Sequence, residues 1–564
     1  MDFAIKKLGP INEAKLELGD ITVLIGPPNV GKSYTLKALY SSLLMLDPIA
    51  RKSLLKSIFA ELRVLKHRRF LYEESIFIFL TNLAILYKID PQMTKYIAKR
   101  IGDVVGKIDI KIENDTIVAT SKRAEILDLK KLVELIQEQN AHLWGVVPTA
   151  DKTKVNLKLP IPNLFSILVE AFRKPLVVKE ENYNQELKLF VGCYISSYLQ
   201  ETKLILERTA EIKLDTVSPI IKKRYPKGEL LKLEKAKDTA EILEILYNLR
   251  LFKLTPKDWI ILLRAIPEMV LTEEIQDRLA EKIGKMLESI YRRGLGIQSV
   301  LFIPFGRSPI VCQLEYISRE PFLRTEIIED YYELDIPLYP YMSKLSSGRA
   351  KLSESTYEKE IVQLFEPVFQ GNLIFDKRSG ELKYKRWSFK GIDDRYSVIV
   401  PIKWASALAG EVTGILLPIL SVPYNSYLII EEPESQLHYS AQVLMALTLI
   451  GLSNVFGHKI AFSTHSDVLT LTLAYIQEFK PNENKVLELI KKLLEMQNVY
   501  VDEDNLRPLA KAVSEAENID IRFYYYEPTP SGVKVSERSS LDVLRDVPGI
   551  TDVVNILATW AMSL

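Results

Sequence analysis

Three short stretches of this sequence carry side chains that do chemistry when brought together. The first is "GPPNVGKS", Gly26 to Ser33, which fits the spacing G-x-x-x-x-G-K-[ST]. Phosphate oxygens need many donors on a concave backbone. Gly31 lets that backbone come close, and a helix starting near Lys32 adds its positive end. The contact set is then Gly26, Pro27, Pro28, Asn29, Val30, Gly31, Lys32 and Ser33, with Tyr34 next along the helix. Lys32 reaches outer phosphates as a point charge, and the Ser33 hydroxyl suits a magnesium ion.

The second stretch is "YLIIEEPESQLH", residues 427–438. An apolar run ends in two adjacent acids, Glu431 and Glu432, followed by Pro433. Two like charges side by side repel, unless a cation or substrate uses them. Magnesium on a nucleotide keeps several waters and needs few protein ligands. Glu431 at the strand end then serves the metal, and Glu432 polarises a water that attacks a terminal phosphate. The third stretch, "KIAFSTHSD", is another apolar run, ending in Thr464, His465 and Ser466. Histidine at that point orients a phosphate or an attacking water.

These residues need strands and helices to hold them. "ITVLIG" is a continuous apolar run, expected of a strand covered on both faces, and it feeds the Gly-rich loop and then the helical pattern "YTLKALYSSLLML". Upstream, "FAIKKLGPINEAKLEL" reads as strand, turn, strand. From about 51 to 295 helical periodicity dominates, interrupted by a strand pair "KIDIKIENDTIVAT" with Asn114-Asp115 as its turn. "SVLFIPFGRSP" restores a core strand. A polar, Tyr-rich segment runs to about 389, in which "LSSGRAKLSES" reads as a mobile loop. Strands and helices alternate from 397 to 470. "IRFYYYE" and "GVKVSE" form a hairpin, and "ITDVVNILATWAM" a closing amphipathic helix. The expected fold is α/β with a mixed central sheet. Its parts are 1–50, 296–480 (with a loop-rich insert near 316–389) and 481–564, interrupted by a mainly helical insertion at 51–295.

Composition narrows the classes. The chain has 564 residues, 47% hydrophobic and 26% charged, enough for a large core. Net charge is +1, so no global field attracts nucleic acid or a membrane, and such contacts fall to local patches such as Lys66, Arg68 and Arg69 or Lys222, Lys223 and Arg224. Each patch is more readily a solvated helix face than a binding surface. Cys193 and Cys312 show no disulfide or zinc spacing. No signal-peptide layout opens the chain, and its longest apolar stretches are too short or interrupted to span a bilayer. A cytoplasmic protein without a membrane partner is expected.

The order "GPPNVGKS", "ASALAGEVTGILLPIL", "LIIEEPESQLHYSAQ", "IAFSTHS" resembles an ABC-type P-loop ATPase, in the branch that holds structural-maintenance-of-chromosomes (SMC), DNA-repair and overcoming-lysogenization-defect (OLD) ATPases. "FAIKKLGPINEAKLELGDITVLIGP" is similar to that branch's first strands, and "FIPFGRSP" to its Pro-Arg strand. The resemblance covers about 170 residues at the two ends of the chain. It implies ATP and Mg2+ as cofactors, with Gly26 to Ser33 as the Walker A loop. Ser33 and Glu431 become metal ligands, Glu432 the catalytic base and His465 the switch histidine. It makes Glu434 to His438 the D-loop, which meets a second subunit. It places the signature, which caps the partner's nucleotide, at "ALAGE", Ala407 to Glu411. Gly410 fits that motif. Leu408 stands where the family prefers Ser, which leaves Ser406 as the neighbouring hydroxyl.

The resemblance implies a homodimerising ATPase acting on double-stranded DNA or a protein client, in DNA maintenance or antiviral defence. A nucleotide-gated scaffold with little turnover and a transporter's nucleotide-binding subunit are the alternatives. Some OLD relatives carry a TOPRIM nuclease. Its metal-binding acids have no counterpart here beyond "VYVDEDN", so no nuclease is expected.

Overall fold

The computed structural model describes residues 1–61, scattered positions between 80 and 99, 108–113, 116–128, 153–157, 187–198, 201–213, 273–313, 338–352, 356–376, 381–387 and 399–546. The chain forms two compact units. One comprises Met1–Arg51, Gln137–Ile161 and Lys285–Leu564; the other comprises Lys52–Ile136 and Pro162–Gly284.

The larger unit is built on a nine-stranded mixed sheet. Its strands in chain order are β1 (Asp2–Leu8), β2 (Ile11–Glu17), β3 (Ile21–Ile25), β4 (Lys154–Leu157), β5 (Val300–Ile303), β6 (Tyr427–Glu431), β7 (Lys459–Thr464), β8 (Ile521–Thr529) and β9 (Gly532–Arg538). Across the sheet they run β4-β1-β2-β9-β8-β3-β7-β6-β5. The block from β8 to β5 is parallel throughout. Every residue of β3, β5 and β6 is buried, as continuous apolar runs such as "ITVLI" and "YLIIE" dictate for strands covered on both faces. β8 and β9 form the expected hairpin, and β1 and β2 the expected opening pair.

One face of the sheet carries Ile21, Val23, Leu428, Ile430, Ile460 and Phe462 into the main core. There they meet helices Thr356–Phe369, Ala407–Leu420 and Tyr439–Phe456. On the other face lies the helix Lys32–Ser42, α1, whose Tyr40 ring sits 5.4 Å from Phe302 of β5. Helix Tyr439–Phe456 has the length and mean hydropathy (1.4) of a membrane span. It is 72% buried and serves as a core helix, its Thr448 hydroxyl donating to Leu364 O.

Two segments differ from expectation. "LSSGR", Leu345 to Arg349, is not a loop but part of helix Leu338–Lys351. Tyr341 and Leu345 are fully buried there, and Gly348 abuts the Leu417 backbone so closely that a Cβ would stand 1.7 Å from its carbonyl oxygen. Its polar letters conceal one apolar face. In the smaller unit, the expected pair 108–113 and 116–128 continues into two further antiparallel strands, Glu201–Lys213 and Leu187–Tyr198. That four-stranded sheet lies inside the stretch read as mainly helical. The Asn114-Asp115 turn, both basic patches and the helix expected at 550–562 lie outside the described residues.

Candidate functional site

β3 ends at Ile25, and residues 26–31 wrap into the start of α1. Gly26, Asn29 and Gly31 have φ of 145°, 61° and 94°. Positive φ at alternating points turns successive amides towards one concave side, which is the backbone shape of an anion nest. Gly31 is the N-cap of α1, and no side chain caps its first amides, which stay available to a ligand. Val30 is buried beneath the loop, while Pro28 and Asn29 are exposed. Tyr34 points elsewhere: its ring packs on Gly9 of the β1–β2 turn.

Lys32 curls back over the loop. Its Nζ donates to Gly26 O at 2.7 Å and Pro27 O at 2.8 Å, and lies 3.3 Å from His465 Nε2. Burial draws its pKa down to about 8, against the pull of Glu432 and Glu434, which favour the charge. Glu432 approaches from the other side, its Oε1 3.7 Å from His465 Nε2. Burial first, then the positive Lys32, hold the His465 pKa below its ordinary value. Both causes favour the uncharged ring, and in the tautomer with a bare Nε2 that nitrogen accepts from Lys32. Pieces of chain some four hundred residues apart thus bring Lys32, Glu432 and His465 together, as the sequence motifs require.

Parallel register explains the meeting. β7 lies between β3 and β6, with Ser463 beside both Leu24 and Glu431. The C-terminal ends of all three strands therefore open on the same edge, where ligands bind in open α/β sheets. Glu432 follows β6 with φ of 44°, a left-handed turn that bends the chain immediately after the acidic pair.

Glu431 is buried, and its Oε2 accepts from Phe305 N at 3.1 Å. Its donor set with Ser33 is hydroxyl and carboxylate, hard oxygens of the kind magnesium takes. Ser463 lies beside Glu431 in the ladder, and its Oγ is buried without a hydrogen-bond partner. A hydrated cation on Glu431 supplies the donor or acceptor this orphan lacks. The residues present therefore fit the ion. Among the described residues no cluster of three or more His, Cys, Asp or Glu forms a metal site.

The segment "ALAGE" opens helix Ala407–Leu420. Ser406 is its N-cap and accepts from Ala409 N at 3.3 Å; Leu408 packs partly buried against the core. Gly410 serves helix packing: a Cβ there would stand 2.3 Å from Ser308 Oγ.

Glu411 and Glu434 were read in sequence only as members of the signature and D-loop segments, without the partners found here. Glu411 binds Arg307, which in turn holds the Glu431 and Glu432 carbonyls. Glu434 accepts from the His465 amide. An acid inside an apolar helix start and a third acid after Glu431-Glu432 were the only signals available.

The fold and site define a mixed α/β unit with a strand–loop–helix phosphate cradle facing an acidic strand end. No family model and no curated protein matches the sequence. Solved structures align with it at low similarity. One is an Smc head bound to the C-terminal winged-helix domain of ScpA, with TM-score 0.27 and 8% identity over 95% of this chain and 97% of that one. Another is the Smc head with an extended coiled coil from Pyrococcus furiosus, bound to the C-terminal domain of ScpA, with TM-score 0.26 and 11% identity over 98% of each chain. A third is the Smc head with a coiled coil and joint from Pyrococcus yayanosii, with TM-score 0.26 and 11% identity over 96% and 98%. Likeness this slight assigns no function.

Proposed function

We propose that this chain is an ABC-type ATPase that binds ATP with Mg2+ and hydrolyses it. The carrying observation is the Lys32–His465–Glu432 cluster at the mouth of the Gly26–Ser33 loop, with contacts of 3.3 and 3.7 Å. Lys32 and the α1 amides bind the triphosphate. Glu432 takes a proton from the attacking water as the water oxygen bonds to the terminal phosphorus and the bond to the ADP oxygen breaks. His465, neutral and next to both, orients the water or the phosphate. Ser33 and Glu431 would hold magnesium, which when bound neutralises charge on the phosphates.

The Glu434–His438 loop and the Ala407–Glu411 segment support a homodimer closing on nucleotide, and DNA or a protein is the client class we propose for it. The protein is expected inside the cell. Hydrolysis compared with and without double-stranded DNA, at two salt concentrations, separates the clients. Stimulation that fades with salt means phosphate contacts.

The direct test is ATP binding and turnover by Lys32→Ala and Glu432→Gln. Lys32→Ala should lose ATP binding with the fold kept. Glu432→Gln should keep ATP, lose turnover by about a hundredfold or more and accumulate as a dimer. Unchanged ATP affinity in Lys32→Ala overturns the phosphate-loop assignment. A nucleotide-gated scaffold is the second reading, favoured by the apolar, partly buried Leu408 in the signature position. Equal, near-zero turnover of wild type and Glu432→Gln would select it.

A further inference from the structure

Glu434 stands one Pro beyond the proposed base and takes no part in the chemistry described above. Its side chain is buried, 9% exposed. One oxygen, Oε1, accepts two hydrogen bonds: from Thr464 Oγ1 at 2.8 Å and from His465 N at 2.7 Å. Thr464 Oγ1 accepts in turn from Ser466 N at 2.9 Å, and Ser466 Oγ accepts from Leu469 N at 2.9 Å, where the helix Asp467–Phe479 begins. The turn that carries His465 is thus built on a carboxylate supplied by a different segment, thirty-one residues earlier.

That segment is itself tied to the site. Ser435 N donates to Glu432 O at 3.1 Å and Leu437 N to Glu434 O at 2.9 Å, so residues 432–437 form one continuous turn. Its outer residues, Gln436 and His438, are exposed. The second oxygen, Glu434 Oε2, is buried and has no hydrogen-bond partner. Burying a carboxyl group with one oxygen unsatisfied is unfavourable. A Ser or Ala at this position would avoid that penalty but would leave the His465 amide without this acceptor. Burial accordingly holds the Glu434 carboxyl above the ordinary carboxylate range.

We infer that Glu434 is a positioning residue: it fastens the main chain of His465 to the loop following Glu432, so that displacement of residues 434–438 moves His465 away from Lys32. Two bonds to one acceptor are directional, and among the described residues no other side chain bonds the His465 amide. Contact at the exposed side of the loop is thereby transmitted to the imidazole. The groups facing His465 are Lys32 from α1 and Glu432 and Glu434 from the loop. Moving the ring off Lys32 removes burial and a positive neighbour, which depress its pKa, together with Glu432 and the Gly26 carbonyl, which raise it; burial is the largest of these, so the net shift is upward. The inference relies on the ATPase reading only for its effect on turnover.

The test uses the full chain as wild type, Glu434→Ala, Glu434→Gln and Thr464→Val. Ring-labelled histidine is titrated by NMR without nucleotide. The chain has five histidines, and the His465 signal is assigned by its loss in His465→Gln. In wild type His465 should titrate below its ordinary value. In Glu434→Ala it should move up towards that value, while Glu434→Gln, whose amide oxygen accepts both bonds, keeps the wild-type titration. With ATP, Glu434→Ala should lower kcat by about ten- to a hundredfold and change KM much less. If Glu434→Ala does not fold, Thr464→Val, which deletes one donor, makes the same comparison. A wild-type titration and kcat in Glu434→Ala, or a Glu434→Gln as altered as Glu434→Ala, overturns the inference. Failure of the ATPase reading shows separately, as unchanged ATP affinity in Lys32→Ala, and leaves the titration test intact.

Discussion

Arg307 Nε donates to Glu411 Oε2 at 3.0 Å, with the two side chains only 0% and 3% exposed. The guanidinium uses the rest of its fork on main chain: Nη1 donates to Pro304 O and Glu431 O, and Nη2 to Glu432 O. Glu411 Oε1 accepts from Ser308 N. One buried ion pair therefore joins the end of β5, the end of β6 and the start of helix Ala407–Leu420. Removing one partner of such a pair leaves the other charge buried alone, which costs about 3–5 kcal/mol. Arg307→Met and Glu411→Leu should each lower stability by that order, since each strands the other's charge. The double variant Arg307→Met/Glu411→Leu should recover part of the loss, because no charge is stranded. Urea denaturation of the four proteins measures this. Additive losses in the double variant would mean that the pair is not coupled.

With ATP on the Gly26–Ser33 loop as proposed, Lys32 should make its binding depend on pH. Its pKa in the free protein is about 8, because burial disfavours the ammonium. Phosphates favour the ammonium, so binding takes up a proton wherever the free lysine is neutral. Affinity should be flat below about pH 7 and weaken by about tenfold by pH 9. Lys32→Arg, charged throughout, should abolish that dependence whatever its absolute affinity. Calorimetry in two buffers of different ionisation enthalpy checks the sign: proton uptake at pH 8.5, none at pH 6.5.

The site was legible in sequence where chemistry and fold gave the same signal. β3, β6 and β7 are parallel core strands, so each reads as an apolar run, and their ends bring together the motifs read in sequence. The central part of the fold followed from those runs. The roles of Glu434 and Glu411 were not legible because they lie in partners 31 and 104 residues away. No local period encodes such a distance. Residues 345–349 misled because Ser, Ser and Gly are loop formers by propensity. Packing of Tyr341 and Leu345 outweighed it, and Gly348 is small for contact rather than for flexibility. Glu201–Lys213 and Leu187–Tyr198 were missed within a stretch whose helical periodicity was taken to be interrupted by the single strand pair "KIDIKIENDTIVAT".

Gly348 offers a sharp check of that correction. A Cβ there would stand 1.7 Å from Leu417 O and 2.5 Å from its carbonyl carbon, both backbone atoms of the facing helix. Neither can rotate aside. In a loop, or on a free helix surface, Gly348→Ala would be neutral or stabilising by up to about 1 kcal/mol. In this packing it should instead destabilise by about 3 kcal/mol or more, since helix Ala407–Leu420 must be pushed back. Denaturation midpoints of wild type and Gly348→Ala decide between the two signs.

His458 should make the fold acid-sensitive. The side chain is fully buried, and burial pushes its pKa down to about 4. Its Nδ1 accepts from Ser426 N at 3.2 Å, so the proton of the neutral ring is on Nε2, which is buried without a partner. An unfolded histidine titrates near 6.5, so between pH 6.5 and 4 the unfolded chain binds the extra proton and the folded one does not. Stability is therefore undiminished above pH 6.5 and falls as the pH drops towards 4, by at most about 3 kcal/mol from this residue. His458→Asn offers Ser426 N a side-chain oxygen and cannot titrate. Its stability should be lower than wild type at pH 7, and the gap should narrow as the pH falls to 4. Urea midpoints of the two proteins at pH 7, 5.5 and 4.5 measure it. A gap that stays constant across that range would mean that His458 is already protonated in the folded protein or that another group sets the acid limit.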